Sequence, residues 1–162
     1  MVRLVPMTPV EFNAFFERDI AEYAAEKVKA GNWSSAEALQ RSRDEHYQLL
    51  PQGLATPGHH LFTIRDDDIG QAVGTLWLAE QRGWAKPTGF IYDLYIDERF
   101  RRRGYASRAM LALEEKAVEL GLDTLALHVF GHNHAARVLY EHLGYEITNI
   151  NMAKSLKPDA PS

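Results

Sequence analysis

A short basic segment, Arg99–Arg103 followed by Gly104, contains the residues best suited to binding a charged ligand. Four of the five residues in Arg99–Arg103 are arginines, and Tyr105 and Ala106 follow the glycine. Guanidinium groups bind phosphate oxygens bidentately, and glycine lets the backbone approach a ligand closely. A helix that starts here would also present free N–H groups at its positive end. The segment therefore predicts a phosphate-binding turn in which the N–H groups of residues 102–106 cradle an anion. The alternative is a solvated run of charge with a simple turn at Gly104.

A second pair of chemically useful residues, Asn133 and Tyr140, lies nearer the end of the chain. Seven positions correspond to about 700° on an α-helix, about 20° short of two full turns, so the two side chains share one face. The tyrosine offers a phenolic proton with an ordinary pKa of about 10. Periodicity alone also fits Tyr140 to an apolar face beside Leu139 and Leu143, and it fits Asn133 to a helix N-cap.

Histidines form two groups, His59 with His60, and His128 with His132 and His134. Imidazole nitrogens are common metal ligands, but neither group has the spacing of a standard metal-binding set. The sequence therefore predicts no metal site, and it assigns no role to these five histidines.

The composition excludes several classes of function. The chain of 162 residues has no cysteine, which rules out disulfides, a thiolate nucleophile and a cysteine-based zinc site. It has no apolar run of about 20 residues and no apolar signal segment at its N-terminus, so we expect a cytoplasmic protein without membrane contact. The formal net charge of −4 argues against nucleic acid as a partner.

Hydrophobic periodicity predicts the elements that must position these residues. Strands are predicted at 3–5, 61–64, 73–79, 90–96, 124–129 and 146–152, and helices at 8–30, 33–50, 105–120 and 135–143. Capping boxes start the first two helices, Thr8 with Glu11 and Ser34 with Glu37. The order β-α-α-β-β-β-α-β-α-β predicts a single α/β (α+β) domain over residues 1–156, with a mixed sheet and helices on both of its faces. A disordered tail is expected at 157–162.

Two motifs on these elements resemble those of the GNAT superfamily of acyl-CoA-dependent N-acyltransferases. Arg101–Ala106 is similar to the signature Arg/Gln-x-x-Gly-x-Gly/Ala, and Asn133–Tyr145 is similar to Asn-x-x-Ala-x-x-Leu-Tyr-x-x-x-Gly-Phe/Tyr. They occur in the family's order, and the strong resemblance spans residues 90–152. The resemblance implies a GNAT fold. It also implies an enzyme that transfers the acetyl group of acetyl-CoA to a primary amine, with the amine attacking the thioester directly.

The resemblance also implies where coenzyme A would bind. Its pyrophosphate would lie on the basic turn, and Arg102, Arg103 or Arg108 would reach the 3′-phosphate. The pantetheine arm would enter between strands 90–96 and 124–129 and bond to backbone amides like an added strand. The N–H of Leu94 would polarise the thioester carbonyl. The implied coenzyme-binding residues are Leu94, Ile96, Arg101, Arg102, Arg103, Gly104, Tyr105, Ala106, Ser107, Asn133 and Tyr140.

The resemblance points to one residue as the acid for the proton transfers and leaves two alternatives for the base. Tyr140 would protonate the departing thiolate, because a phenol with a pKa of about 10 stays protonated until a thiolate of pKa about 8.5 appears. Many family members carry a glutamate on the central strand, where this chain has Phe90 and Tyr92. Asp93 is the only carboxylate there, and strict alternation turns it to the opposite face unless a bulge re-aims it. Asp93 is therefore either the base or a support for the strand, with an ordered water as the base.

Two other functions are compatible with the sequence. A CoA-binding regulator that has lost catalysis would explain the missing strand glutamate, although Tyr140 is retained. A nucleic-acid-binding protein would use Arg99–Arg103, against the acidic balance of the chain. The sequence does not identify the acceptor, a small-molecule or peptide amine, nor does it distinguish a monomer from a homodimer. Acidic residues on the first two helices would suit a cationic amine but also serve solubility: Glu11, Glu17, Glu22 and Glu45.

Overall fold

A five-stranded mixed sheet organises the chain in this computed structural model, which describes residues 1–157. The strands lie in the order β1-β2-β3-β4-β5, and all neighbours are antiparallel except β4 and β5. In chain order the elements are β1 (Val2–Pro6), α1 (Pro9–Lys29), α2 (Ser35–Leu49), β2 (His59–Asp66), β3 (Gln71–Gln81), β4 (Thr88–Ile96), α3 (Tyr105–Glu119), β5 (Thr124–Leu127) and α4 (His134–His142). Short 3₁₀ turns occupy Gly53–Ala55 and Glu98–Phe100.

Helices α1 and α2 cover one face of the sheet. The predicted capping box starts α1, because Thr8 Oγ1 accepts from the Glu11 N–H and the Glu11 carboxylate accepts from the Thr8 N–H. The apolar stripe of α1 then buries Phe15 and Ile20 against Trp77 of β3. This layer brings the polar residues of α1 over the middle of the sheet.

Helix α3 covers the opposite face and completes the main core. Its buried residues Met110 and Leu113 pack on apolar side chains of β2, β3 and β4, among them Leu76 and Ile91. The prediction of a mixed sheet with helices on both faces is therefore confirmed. No helix in residues 1–157 is long and apolar enough to cross a membrane.

Strand β4 has two irregularities that matter for function. Its parallel pairing with β5 ends at Ile91 opposite Leu127, so its later residues have no partner on that side within the described chain. Its pairing with β3 contains a bulge, because Trp77 lies opposite Asp93 while Leu78 lies opposite Ile91. One residue of β4, Tyr92, is therefore inserted into the strand, and a bulge of this kind re-aims the side chains that follow.

The predicted strand at 146–152 does not form. These residues are exposed and unpaired, with Ile147, Ile150 and Met152 at 52%, 69% and 91% exposure. The three apolar residues do not alternate with a period of two, so a strand here would have no single apolar face to bury. Strand β5 also ends at Leu127 rather than at 129. The expected disordered tail at 157–162 lies outside the described residues except for Lys157.

Candidate active site

The basic segment forms a tight turn at the start of α3. Arg102 has a φ of 62° and is the one non-glycine residue with positive φ among those described, and Gly104 has a φ of 77°. Gly104 is the N-cap of α3 and provides no side-chain hydrogen bond to the first turn. The N–H groups of Tyr105–Ser107 are therefore left for an anion, as at other helix N-termini that bind phosphate. Strained backbone of this kind is concentrated at ligand-binding sites.

Two arginines, one in the basic segment and one in α3, hold the turn through hydrogen bonds to backbone carbonyls. The Arg101 Nε donates to the Ile96 carbonyl at 2.9 Å, which ties the turn to the end of β4. Arg108 donates to the Arg103 carbonyl at 2.9 Å from the first turn of α3. The side chain of Tyr105 is buried, so only its backbone N–H is available to a ligand.

One cavity of about 860 Å³ joins this turn to the exposed edge of β4 and to α1. It has the size of a typical site for a small molecule or cofactor. Most of the sequence-predicted site residues line it: Asp93, Leu94, Ile96, Arg101, Arg102, Gly104, Tyr105, Ala106, Ser107 and Asn133. Within the described chain, Arg103 and Tyr140 are not part of its wall, and the Arg103 guanidinium lies over the Phe100 ring instead.

The other end of the cavity is acidic. Its wall there includes carboxylates of α1 and β4, together with aromatic side chains: Asp19, Glu22, Glu26, Asp93, Tyr23, Tyr92 and Phe130. The cavity therefore has a cationic end that suits phosphates and an anionic end that suits an amine. The unpaired edge of β4 lies between the two ends.

The bulge decides where Asp93 points. Ile91 and Leu94 belong to the core on the α3 face, whereas Tyr92 packs with the cluster under α1. Asp93 lies on this same α1 side, where its Oδ2 accepts from Thr75 at 3.3 Å and pairs with Arg18 at 3.5 Å. Strict alternation puts Tyr92 and Asp93 on opposite faces unless a bulge intervenes, and the bulge at Tyr92 is that exception.

Burial raises the pKa of Asp93 well above its usual range, and the negative charge of Asp19 adds to this effect. The Arg18 guanidinium opposes part of the rise. Arg18 itself is held by Glu22 at 2.9 Å and Thr75 at 2.7 Å, and it stacks over Tyr95 at 3.6 Å. A carboxyl group whose pKa is raised by burial beside a specific charge partner is typical of an active site.

The sequence did not predict the ionisable residues that interact with Asp93. Asp19 of α1 bonds through Oδ2 to the Nε2 of His46 at 2.8 Å, and both side chains are buried. Arg18 was missed as well. A signal for Asp19 exists, because it falls on the helical face that carries Phe15 and Ile20, where an ionisable side chain must be paired.

Asn133 and Tyr140 occupy the two ends of α4. The Asn133 side chain accepts from the Ala136 N–H at 3.2 Å, so the N-cap interpretation is correct, and Asn133 also lines the cavity. Tyr140 packs against the main core, and its ring centre lies 5.9 Å from that of Tyr145. Burial and the charge of Asp93 raise the pKa of Tyr140 to about 12.

Several of the unassigned histidines have structural contacts. The Trp77 Nε1 donates to His59 Nδ1 at 3.0 Å, and His60 pairs with Glu80 at 2.8 Å. His132 bonds to Glu26 and so ties α1 to the loop before α4. Burial lowers the pKa of His128. Among residues 1–157, no group of three or more His, Cys, Asp or Glu side chains is placed to hold a metal ion.

Comparison with known proteins identifies the family. A model of the acetyltransferase (GNAT) family matches residues 24–145. The chain belongs to this family. The resemblance carried by the two sequence motifs is thereby confirmed, and an acetyltransferase is supported at the level of the family.

Relatives of similar length support the same assignment. The uncharacterized N-acetyltransferase YycN of Bacillus subtilis strain 168 is 40% identical over 157 residues, which cover 96% of this chain and 99% of that protein. The uncharacterized N-acetyltransferase YdgE of the same strain is 37% identical, with 94% and 97% coverage. The crystal structure of YycN matches this fold with a TM-score of 0.93 over 98% of this chain and 100% of that one, at 39% identity.

Proposed function

We propose that this protein transfers the acetyl group of acetyl-CoA to a primary amine. The observation that carries the proposal is the single cavity with a cationic turn at one end, carboxylates at the other and the unpaired edge of β4 between them. An anionic cofactor and a cationic amine would enter such a cavity from opposite ends, because each end attracts the opposite charge.

The residues present suit acetyl-CoA. The free N–H groups of Tyr105–Ser107 and the positive end of α3 would hold the pyrophosphate. The pantetheine arm would lie along the edge of β4 that β5 leaves open beyond Ile91. The N–H of Leu94 would then stabilise the charge that develops on the thioester oxygen.

Tyr140 would assist the departing thiolate. It is not part of the cavity wall, so this role is supported by the family motif in α4 and by the effect of the Asp93 charge on its pKa. Its raised pKa of about 12 keeps the phenol protonated at any working pH, so it always offers a hydrogen bond. The acceptor is a primary amine, either a small molecule or the side chain of a peptide. Its ordinary pKa of about 10.4 means that it arrives as an ammonium ion and has to lose a proton before it attacks.

Thermal unfolding with and without millimolar acetyl-CoA tests coenzyme binding. We expect a clear rise in Tm, since a ligand that binds only the folded state stabilises it; 100-fold saturation contributes about 2.7 kcal/mol. Gly104→Asp should abolish the rise, because a carboxylate at the anion-binding turn repels the pyrophosphate. A wild-type protein with no shift would contradict the proposal.

Gly121→Asp provides the matched control for Gly104→Asp. Both glycines have nearly equal positive φ values, 75° and 77°, and a Cβ at either position meets no atom within 4 Å. They lie at opposite ends of α3, so backbone strain is similar but only Gly104 faces the anion. Gly121→Asp should therefore keep the acetyl-CoA shift even if its own Tm is lower.

Thiol release from acetyl-CoA with a panel of alkyl, arylalkyl and diamine acceptors tests transfer. Release that depends on an amine supports the enzyme. Binding without any release would instead support a CoA-binding module that has lost catalysis.

A further inference from the structure

The buried contacts of His46 determine where its protons lie. Its Nδ1 is 2.8 Å from the backbone carbonyl of Ser42, which can only accept a hydrogen bond. The Ser42 hydroxyl is 2.7 Å from the Ile20 carbonyl and donates its proton there. Nδ1 must therefore carry a proton, because otherwise two lone pairs would face each other in a buried site.

A second proton must lie between His46 and Asp19. The His46 Nε2 is 2.8 Å from Asp19 Oδ2, and its ring is almost fully buried. With Nδ1 protonated, the pair is either a neutral imidazole facing a protonated carboxyl, or an imidazolium facing a carboxylate. Both arrangements have zero net charge and one shared proton.

The Asp19 carboxyl extends from this pair to Asp93 and to the acidic end of the cavity. Asp19 and Asp93 both line the cavity, and the negative charge of Asp19 contributes to the raised pKa of Asp93. Three other groups interact electrostatically with Asp93: Arg18 and Glu22 of α1, and Tyr140 of α4. His46 is surrounded by aromatic rings, among them those of Phe16, Tyr23 and Trp77.

We propose that Asp93, Asp19 and His46 form a buried relay that takes the proton of the acceptor amine. This inference rests on the proposed function and names its general base. Asp93 and Asp19 are catalytic residues in this relay because they line the acceptor side of the cavity. His46 is a positioning residue that acts through Asp19. Arg18 and Asp19 lie before residue 24, where the match to the family model begins.

Each proton that one group of the relay loses is taken up by another. At rest, one proton lies between Asp19 and His46, and Asp93 is a carboxylate beside Arg18. An N–H bond of the ammonium group breaks, and its proton forms an O–H bond on Asp93. The proton shared by Asp19 and His46 is then held on Nε2 of His46, which leaves an imidazolium paired with the Asp19 carboxylate. The new Asp93 hydroxyl then donates to Asp19, so no buried charge is left unpaired.

The environment of Asp93 supports this role. Burial and the nearby Asp19 charge raise the pKa of Asp93, which moves it toward that of an effective base near neutral pH. Burial, together with Glu45 and Asp19, raises the pKa of Tyr23 to about 12, so this neighbour stays neutral.

Asp19→Asn is the first test of the relay. The introduced side-chain amide can donate to Nε2 of His46, so the fold should be retained. We expect kcat/KM, measured with acetyl-CoA and the fastest amine of the panel, to fall at least about 100-fold, the lower end for a general base. The acidic limb of the pH–rate profile should shift to lower pH, because the charge that raises the pKa of Asp93 is gone.

His46→Gln is the second test and should shift the acidic limb in the opposite direction. Glutamine can still donate to Asp19 but cannot accept a proton, so Asp19 stays an uncompensated anion and raises the pKa of Asp93 further. His60→Gln is the matched control, since His60 and Glu80 form a pair of the same 2.8 Å length outside the cavity wall. It should leave the pH profile unchanged.

Kinetic results on the two variants and an NMR result on the wild type can each overturn the relay. The relay is wrong if both variants keep the wild-type acidic limb, or if His46→Gln and His60→Gln behave alike. Loss of folding in one variant leaves the other as the test.

Nitrogen-15 NMR of the histidine rings needs no turnover, and it should find His46 protonated at Nδ1. A neutral His46 protonated only at Nε2 would overturn the relay. A wild-type protein that fails to bind acetyl-CoA would instead overturn the proposed function and leave this NMR result intact.

Discussion

At the scale of single residues, one inserted position in β4 changes the chemistry of the cavity. Because Tyr92 is an extra residue opposite Trp77 and Leu78, Asp93 turns toward α1 and meets Arg18 and Asp19. This chain has no glutamate on β4, and the bulge places an aspartate of the same strand at the acidic end of the cavity instead.

Tyr140→Phe tests the proposed acid at this scale. Phenylalanine keeps the packing against the core and removes only the phenolic proton. We expect acetyl-CoA binding close to wild type and turnover reduced by about 10²- to 10⁴-fold. Steady-state kinetics beside thermal shifts measure the two effects, and unchanged turnover would make Tyr140 a packing residue only.

At the scale of elements, α3 joins the proposed coenzyme-binding turn to the end of β2. The Tyr105 hydroxyl, in the first turn of α3, donates to Asp66 Oδ2 at the end of β2 at 2.5 Å. This hydrogen bond holds the pKa of Asp66 below its usual value. The same helix turn therefore offers its backbone N–H groups to the proposed anion and fixes a strand with its side chain.

Tyr105→Phe should destabilise the protein in a pH-dependent way. Because the folded-state pKa of Asp66 is lowered, the stabilisation is present above the ordinary aspartate pKa of about 3.9 and is lost as the pH falls through the lowered value. We expect a lower Tm than wild type at pH 7 and a smaller difference at about pH 2. An equal difference at both pH values would mean that only packing was changed.

At the scale of the whole molecule, the end of β5 at Leu127 leaves the edge of β4 open beyond Ile91, where the proposed coenzyme arm would enter. Acetyl-CoA should therefore slow amide hydrogen exchange at Leu94, Ile96 and Tyr105–Ser107, measured by NMR or mass spectrometry. The first turn of α2, which is outside the cavity wall, is the internal control. Protection at Tyr105–Ser107 alone would indicate phosphate binding without insertion of the arm.

We expect the exposed segment after α4, residues 146–152, to tolerate substitutions without loss of stability. Ile150→Glu should leave Tm within about 2 °C of wild type, since exposed substitutions usually change stability by less than about 0.5 kcal/mol. Ile64→Glu, at a fully buried position of β2, is the control and should lower Tm strongly or prevent folding. A large effect of Ile150→Glu would show that residues 146–152 pack against the protein in solution.

The sequence by itself determined most of the fold and the cationic half of the site. Helical and alternating periodicities predicted nine of the elements, because local patterning decides which face is buried. The basic turn was also predictable, since Gly104 and the start of α3 are adjacent in the chain. The strand predicted at 146–152 does not form, and its apolar residues Ile147, Ile150 and Met152 lack a period of two.

Only the tertiary structure decided the acidic half. The bulge at Tyr92 depends on the register between β3 and β4, which no local pattern specifies. Asp19 and His46 lie on two consecutive helices, and Asp93 lies on a strand much later in the chain. Their contact follows from how α1 and α2 dock on the sheet, because buried ionisable groups are paired through packing rather than through sequence proximity.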